Sequence, residues 1–428
     1  MAVKANVMRN RNYALLFWGD FVSQVGSTLF SFAVSFYILK ITGNNALIQG
    51  TFLAVGGIFR LLPTPVGGVL ADRFHKGKIM YTCDFISGGT ILASALAILL
   101  FRDSVSVQLV ILFAATILLN ATASAFSPAS GSILRFLVAE DEYQQASSYF
   151  SVSQSFVSIL GVLAAGVLYG MMGIVPIMLL DGVSFILSAI SEIFIRYEHH
   201  PVESEFSARA IVSDMKDGLR YVVKLKPILA MSLIALGLNF FLNPVFSNGL
   251  VYFCSTKLQG DFLFSSFMTK ETWLAASELM LSTGMLVSSL IISRRPQPDR
   301  CAGIIKRTIL YSSLLLAGLS AAYLLFGARG KVNVFLVIMS VLMLAVGAVL
   351  PKINIRTSVI FMKQISPDML GKTAGLLSTL SMALIPLASF VGGVLIQSFG
   401  LATLFLFSTI GFAAMTVFAM LNKSIDEL

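Results

Sequence analysis

Gly68-Val69-Leu70-Ala71-Asp72-Arg73-Phe74-His75-Lys76-Gly77-Lys78 is a short charged passage between two long apolar ones. Upstream, residues 46–71 carry one charged side chain, Arg60; downstream, residues 79–101 carry only Asp84. Each run exceeds the roughly 20 apolar residues that a helix needs to cross a bilayer. A tight loop with one acid and several bases between two such runs reads as a hairpin turn at a membrane surface. Working outward, the same alternation recurs along the whole chain. Twelve spans are expected, the first six at about 13–39, 46–71, 78–101, 106–137, 143–170 and 174–196. The second six fall at about 228–254, 272–293, 304–326, 332–360, 369–398 and 401–421. The runs are continuous and do not alternate in tens, so they are helices and not barrel strands. The fold class is therefore an all-α membrane protein of twelve transmembrane helices.

Composition agrees. Of 428 residues, 57% are hydrophobic and 12% are charged, about half the charge of an ordinary soluble domain. The formal charge of +9 is spread between apolar runs, which favours a lipid bilayer over nucleic acid as the partner. The three cysteines, Cys83, Cys254 and Cys301, form no metal spacing and no disulfide framework. The first apolar run is too long for a signal-peptide core. With both termini in the cytoplasm, 21 of the 30 Lys and Arg fall on the inner side and six on the outer, while Arg60, Lys352 and Arg356 sit at membrane depth. That asymmetry sets the expected orientation. The expected domains are a six-helix bundle at 1–196, a cytoplasmic linker at 197–226 with an amphipathic helix over 211–225, and a second bundle at 227–428.

The two bundles read as a parallel repeat at an offset of 227. At that offset Asp368 falls on Asp141, Ser378 on Ser151, Gly393-Val394-Leu395 on Gly166-Val167-Leu168, Gly400 on Gly173, and Asp299-Arg300 on Asp72-Arg73.

Residues 68–78 resemble the loop signature of the major facilitator superfamily at Gly68, Leu70, Ala71, Asp72 and Arg73. They depart from it at His75, and the basic pair is spread over Lys76 and Lys78. A closer resemblance is to the macrolide-efflux-like drug exporters of that superfamily. It is carried by Lys78-Ile79-Met80 with Asp84, Ala125 to Ala129, Asp181 with Ser184-Phe185, Glu278 with Gly284-Met285-Leu286, and Asp368 to Gly371. The sequence differs from such exporters at Asn120, near where they carry an arginine, and in a span five without Gly-Pro. The resemblance implies two pseudo-symmetric six-helix bundles in the major facilitator fold and no enzymatic activity. It further implies export of a small amphiphilic, macrolide-like compound in exchange for protons, with no cofactor beyond the proton gradient. A monomer in the bacterial cell membrane is expected. Gly68, Asp72, Arg73, Lys76, Lys78 and Asp84 would form the conformational gate, for which the competing reading is a charged turn that anchors the loop.

Ionisable groups inside a span are costly and are functional candidates by default. Asp20 lies roughly 10 Å and Arg60 roughly 16 Å from the inner face by helical rise. They are expected to pair, either as a coupling site or as a structural ion pair. Glu278, roughly 9 Å inside the outer end of span eight, is a candidate proton carrier or an outer-vestibule acid. Asp181 is a cavity group or a helix-packing partner. Lys352 and Arg356 can snorkel to water. In span seven, Asn239 and Asn243 share a face beside Pro244 and read either as ligand contacts or as interhelical hydrogen bonds. No P-loop is present, and His75, His199 and His200 have no metal-binding partners. Arg60 also leaves open an anionic amphiphile such as a lysophospholipid or siderophore. A membrane sensor or scaffold on the same fold is the non-transport alternative, since fold does not fix function.

Overall fold

A computed structural model of the chain describes residues 7–139, 142–197, 220–260, 262–266, 268–293, 302–364 and 381–426. Backbone N–H and C=O groups have no water to bond inside a bilayer, so a spanning segment satisfies them within a helix. Among the described residues the secondary structure is helical throughout, without strands. The first half comprises α1 (Arg11–Ile41), α2 (Ala46–Leu61), α3 (Thr64–Arg73), α4 (Lys76–Leu100), α5 (Val105–Leu137), α6 (Tyr143–Phe156), α7 (Val162–Met172) and α8 (Ile174–Ile193). The second comprises α9 (Lys226–Pro244), α10 (Val251–Lys257), α11 (Lys270–Ser293), α12 (Ala302–Ala322), α13 (Val332–Gln364), α14 (Ile385–Phe399) and α15 (Leu401–Leu421). Ten of the described helical segments are long and apolar enough to cross a membrane, and α2 and α14 are shorter apolar helices. Together they occupy the twelve spans.

Three spans differ from their sequence outline. Span two breaks between α2 and α3 at Pro63, which has no N–H to continue the ladder and is followed by Pro65. Span five joins α6 to α7 through a π-helical turn at Val157–Gly161. Such turns are a source of helix bending without proline, and this one lies where the Gly-Pro is missing. Span seven continues past Pro244 through a second π-helical turn, Val245–Leu250, into α10. The linker helix at 211–225 lies outside the described residues except for its last turn, as do Asp299, Arg300 and residues 365–380.

The helix ends follow from local chemistry. The Asn10 side chain accepts from the backbone N–H of Asn12 and Tyr13 at 3.0 and 3.3 Å and starts α1. His75 does the same for α4, its Nδ1 accepting from the Lys78 N–H at 3.3 Å. The residue that departs from the loop signature therefore has a structural task.

The chain divides into two compact units, Met1–Thr42 with Val55–Phe206 and Gly43–Ala54 with Ser207–Leu428. Residues 43–54 thus belong with the second unit. At Gly50, a Cβ would come within 2.6 Å of the Ser389 carbonyl oxygen and 2.9 Å of the Gly393 Cα. In the first unit α8 packs on α1 and α4, α5 on α3 and α4, and α7 on α1. In the second, α15 packs on α9 and α12, α13 on α11 and α12, and α14 on α9. Span for span these are the same pairs.

The repeat also shows in backbone torsions. Gly173 (φ 74°, ψ −164°) ends α7 and opens α8, and Gly400 (φ 86°, ψ 165°) ends α14 and opens α15. The two are 227 positions apart, and this region of torsion space is essentially open to glycine alone. A Cβ at either would meet no atom within 4 Å, so substitution tests backbone strain without a clash. Gly173→Ala and Gly400→Ala are each expected to destabilise by about 1–3 kcal/mol. Thermal unfolding in detergent checks this against Gly89→Ala, a mid-helix glycine with equally open surroundings.

Candidate functional site

Four carboxylates lie inside the first unit where α1, α4 and α8 meet. On α8, Asp181, Ser184, Ser188 and Glu192 follow one another at steps of three and four, so they share one face. Small residues bring the other two helices to this face. A Cβ at Gly19 would lie 2.6 Å from Ser191 Oγ and 3.2 Å from Ser188 Oγ, and one at Gly26 would lie 2.8 Å from Asp181 Oδ1. A Cβ at Gly88 on α4 would lie 2.9 Å from the Gly182 carbonyl oxygen. Into this contact α1 brings Asp20 and α4 brings Asp84.

All four acids are buried: Asp20 is 8% exposed, Asp84 3%, Asp181 1% and Glu192 1%. Their partners are polar and uncharged. Asp20 Oδ2 accepts from Gln24 Nε2. Asp181 Oδ1 accepts from Ser27 Oγ at 3.4 Å, and Ser184 Oγ donates to the Asp181 carbonyl oxygen at 2.7 Å. Among the described residues, Asp84 Oδ2, Asp181 Oδ2 and both carboxylate oxygens of Glu192 have no hydrogen-bond partner, and the Ser188 hydroxyl stands against Asp84. Among the described residues the acids lie within electrostatic reach of one another, Asp84 of Asp20, Asp181 of Asp84, and Glu192 of both Asp84 and Asp20.

The expected Asp20–Arg60 pair does not form. Asp20 is turned into the α1–α8 contact and bonded to Gln24, whereas Arg60 is exposed in the last turn of α2, beside exposed Ile58 and Phe59. Asp84 sits two turns inside α4 and joins the other acids, not the basic loop, because its face of α4 packs on α8. A Cβ at Gly68 would meet no atom within 4 Å; its neighbour Gly67 makes the close approach, against the Ser124 carbonyl and Ala125 of α5. Lys76 is buried, with its Nζ 5.1 Å from the centre of the Phe136 ring. The Lys76 N–H donates to Tyr197 Oη at 2.7 Å, and the His75 ring lies 4.6 Å from that of Tyr197. Lys78 is exposed. The side chains of Asp72 and Arg73 lie outside the described ones.

In the second unit Asn239 and Asn243 serve as interhelical bonds. Asn239 Nδ2 donates to the Ser381 carbonyl oxygen at 3.1 Å, and Asn243 Oδ1 accepts from Ser389 Oγ at 3.3 Å. Asn248, one turn on and fully buried, donates to the Ser389 carbonyl oxygen at 3.2 Å. Arg356 Nη1 donates to the Lys352 carbonyl oxygen at 2.9 Å, and Asn120 donates to the Thr116 carbonyl oxygen one turn back at 2.9 Å. Glu278 is partly buried on α11, with no ion pair or hydrogen bond among the described residues.

Two participants were missed in the sequence, Glu192 and Tyr197. Glu192 lies eleven residues from Asp181, three helical turns along one face, and that spacing was the available signal. Nothing local marks Tyr197, whose partners His75, Lys76 and Phe136 are all distant in sequence.

Interhelical amide bonds in membrane proteins contribute about 0.6–2 kcal/mol each. Asn239→Leu and Asn248→Leu are therefore expected to lower thermal stability by that amount. Asn120→Leu, which removes a bond within one helix, should change it less; parallel unfolding curves check the order.

Comparison with known proteins agrees with this architecture. Residues 16–371 match the family described as Major Facilitator Superfamily. The chain is 25% identical over 395 residues to the uncharacterized MFS-type transporter YkuC of Bacillus subtilis (strain 168), covering 87% of this chain and 82% of that protein. It is 24% identical over 373 residues to YfiS of the same organism, an uncharacterized MFS-type transporter, covering 85% and 81%. Among solved structures it resembles a bacterial homologue of the iron transporter ferroportin in the inward-facing state, with a TM-score of 0.72, 16% identity, and coverage of 96% and 98%. The nucleoside transporter NupG gives a TM-score of 0.72 at 14% identity, with coverage of 96% and 99%. With the family match spanning most of its length and both six-span units built alike, the chain is a multi-pass membrane transporter belonging to the major facilitator superfamily.

Proposed function

We propose that this transporter exports a hydrophobic or amphiphilic compound, macrolide-like in character, in exchange for protons. The observation that carries the reading is a carboxylate at membrane depth without a counter-charge. Glu278 stands inside α11, and no ion pair or hydrogen bond meets it among the described residues. A carboxylate in such a place is stabilised by taking up a proton, and releasing that proton on the other side is the elementary step of proton coupling. The resemblance to macrolide-efflux-like exporters at Glu278 and Gly284-Met285-Leu286 supports the same assignment. An amphiphilic substrate is favoured by the aromatic row next to Asp20. Trp18 and Phe156 are about half exposed, and the ring of Phe21 lies 5.8 Å from each of theirs. Flat, adaptable apolar surface of this kind fits a bulky lipophilic compound.

The mechanism is alternating access in the bacterial cell membrane, with both termini in the cytoplasm. A gradient drives transport only if proton and substrate bind the two states with different affinity. A second reading, export of an anionic amphiphile such as a lysophospholipid or siderophore, is favoured by Arg60, which is exposed and has no ion pair among the described residues.

Reconstitution into proteoliposomes with an imposed pH gradient separates these readings. A macrolide and a lipophilic cation are expected to move against the proton flux, and a lysolipid is not. Glu278→Gln should abolish the gradient dependence while leaving counterflow of substrate. Movement of all three compounds regardless of the gradient would remove the antiport assignment. Lysolipid transport lost in Arg60→Gln would favour the second reading.

A further inference from the structure

The acids of the first unit pose a separate problem, because among the described residues no basic side chain is paired with them. Burying one carboxylate charge costs several kcal/mol even after relaxation, and like charges close together cannot all ionise. Three species can neutralise such a cluster: a basic side chain, a metal ion or a proton. Among the described residues, the basic side chains of α1 and α4 lie at or near the helix ends, at Arg11, Lys40, Lys76 and Lys78, and Arg196, just past the end of α8, is exposed. The titratable groups in the contact itself are Asp20 from α1, Cys83 and Asp84 from α4, and Asp181 and Glu192 from α8; Tyr169 on α7 packs against Phe36, toward the other end of α1. Arg73 on α3 and Arg135 on α5 have side chains outside the described ones. Nor do three acid, histidine or cysteine side chains converge to hold a metal ion among the described residues.

A proton needs no coordination shell. It also adds a donor to a contact in which acceptors outnumber the hydroxyl and amide donors of Gln24, Ser27 and Ser188. Asp84 Oδ2, Glu192 Oε1 and Glu192 Oε2 are unpartnered acceptors, and a protonated carboxyl becomes both donor and acceptor. Protonation of Glu192 would therefore remove a charge and provide a hydrogen bond within one buried cluster.

We propose that Asp20, Asp84 and Glu192 form a proton-binding site inside the first unit, separate from Glu278, in which buried carboxyls hold protons in the resting protein. As a proton store it stands on the burial and the missing partners. As a coupling site it rests on the proton-exchange reading above.

Infrared difference spectroscopy of the full-length protein in lipid, without substrate, tests the store directly. Near neutral pH the wild type is expected to show C=O stretching bands of protonated carboxylic acids. Glu192→Gln and Asp84→Asn should each remove intensity from them. Glutamine copies the shape of a protonated glutamate, so Glu192→Gln should unfold at the same temperature as the wild type or higher. A lower unfolding temperature would mean that a charge on Glu192 is balanced by something other than a proton, and would overturn the proposal. So would bands that neither substitution alters. Titration with Na⁺, Ca²⁺ and Mn²⁺ is the third arm. Stabilisation of the wild type by one of them, absent in Glu192→Gln, would assign the site to a metal ion instead. Intact bands in a protein whose transport ignores the pH gradient would support the store and overturn only the coupling reading. Gradient-driven transport with bands indifferent to both substitutions would overturn the site and leave that reading standing.

Discussion

The absence of water from the bilayer core is the constraint on which the rest depends. It drives every backbone polar group into a helix and makes a polar side chain without a partner costly. Where chains approach through small residues, as at Gly19 and Gly26 against α8 or Gly88 against Gly182, backbone packing replaces the hydrophobic drive that lipid cannot provide. The same closeness gives the acids of the first unit their character. Helices that touch through glycine leave no space for solvent, so Asp84 and Glu192 are dry.

The two units use one packing plan for different chemistry. Equivalent spans pair in both, and the glycines at 173 and 400 turn the chain with nearly the same torsions. Yet the first unit places carboxylates on the buried faces of spans one, three and six, while the second joins spans seven and eleven through Asn239, Asn243, Asn248, Ser247 and Ser389. A duplicated scaffold can hold charge in one half and amides in the other because the packing depends on small residues, and the polar ones are free to diverge.

Legibility followed the range of the interaction. The spans, the short charged turn and the repeat are properties of stretches, and hydropathy and spacing reveal them. The cap at His75 is local, yet the loop signature calls for glycine at that position and carries no capping information. Pro63 and Pro65 were visible, but a span long enough to cross the bilayer obscured the break between α2 and α3. The sequence points Asp20 toward Arg60 and Asp84 toward the basic loop, and the structure gives each another neighbour. Depth along a helix can be counted from sequence. The direction a side chain faces around the bundle cannot, and that direction sent Asp20 to Gln24 and Asp84 toward Glu192.

The amino-acid sequence by itself determined a polytopic helical membrane protein with an internal repeat and a few charges in its apolar spans. These follow from one-dimensional quantities: length of apolar run, charge between runs, and recurrence at a fixed offset. Only the tertiary structure decided which of those charges meet. It separated Arg60 from Asp20, moved the close approach from Gly68 to Gly67, committed the span-seven asparagines to packing, and brought Glu192 into company with Asp84 and Asp20. The reason is geometric. A helix fixes the depth of each side chain, but the rotation of each helix about its own axis is set by its neighbours, and that rotation determines the partner of every buried charge.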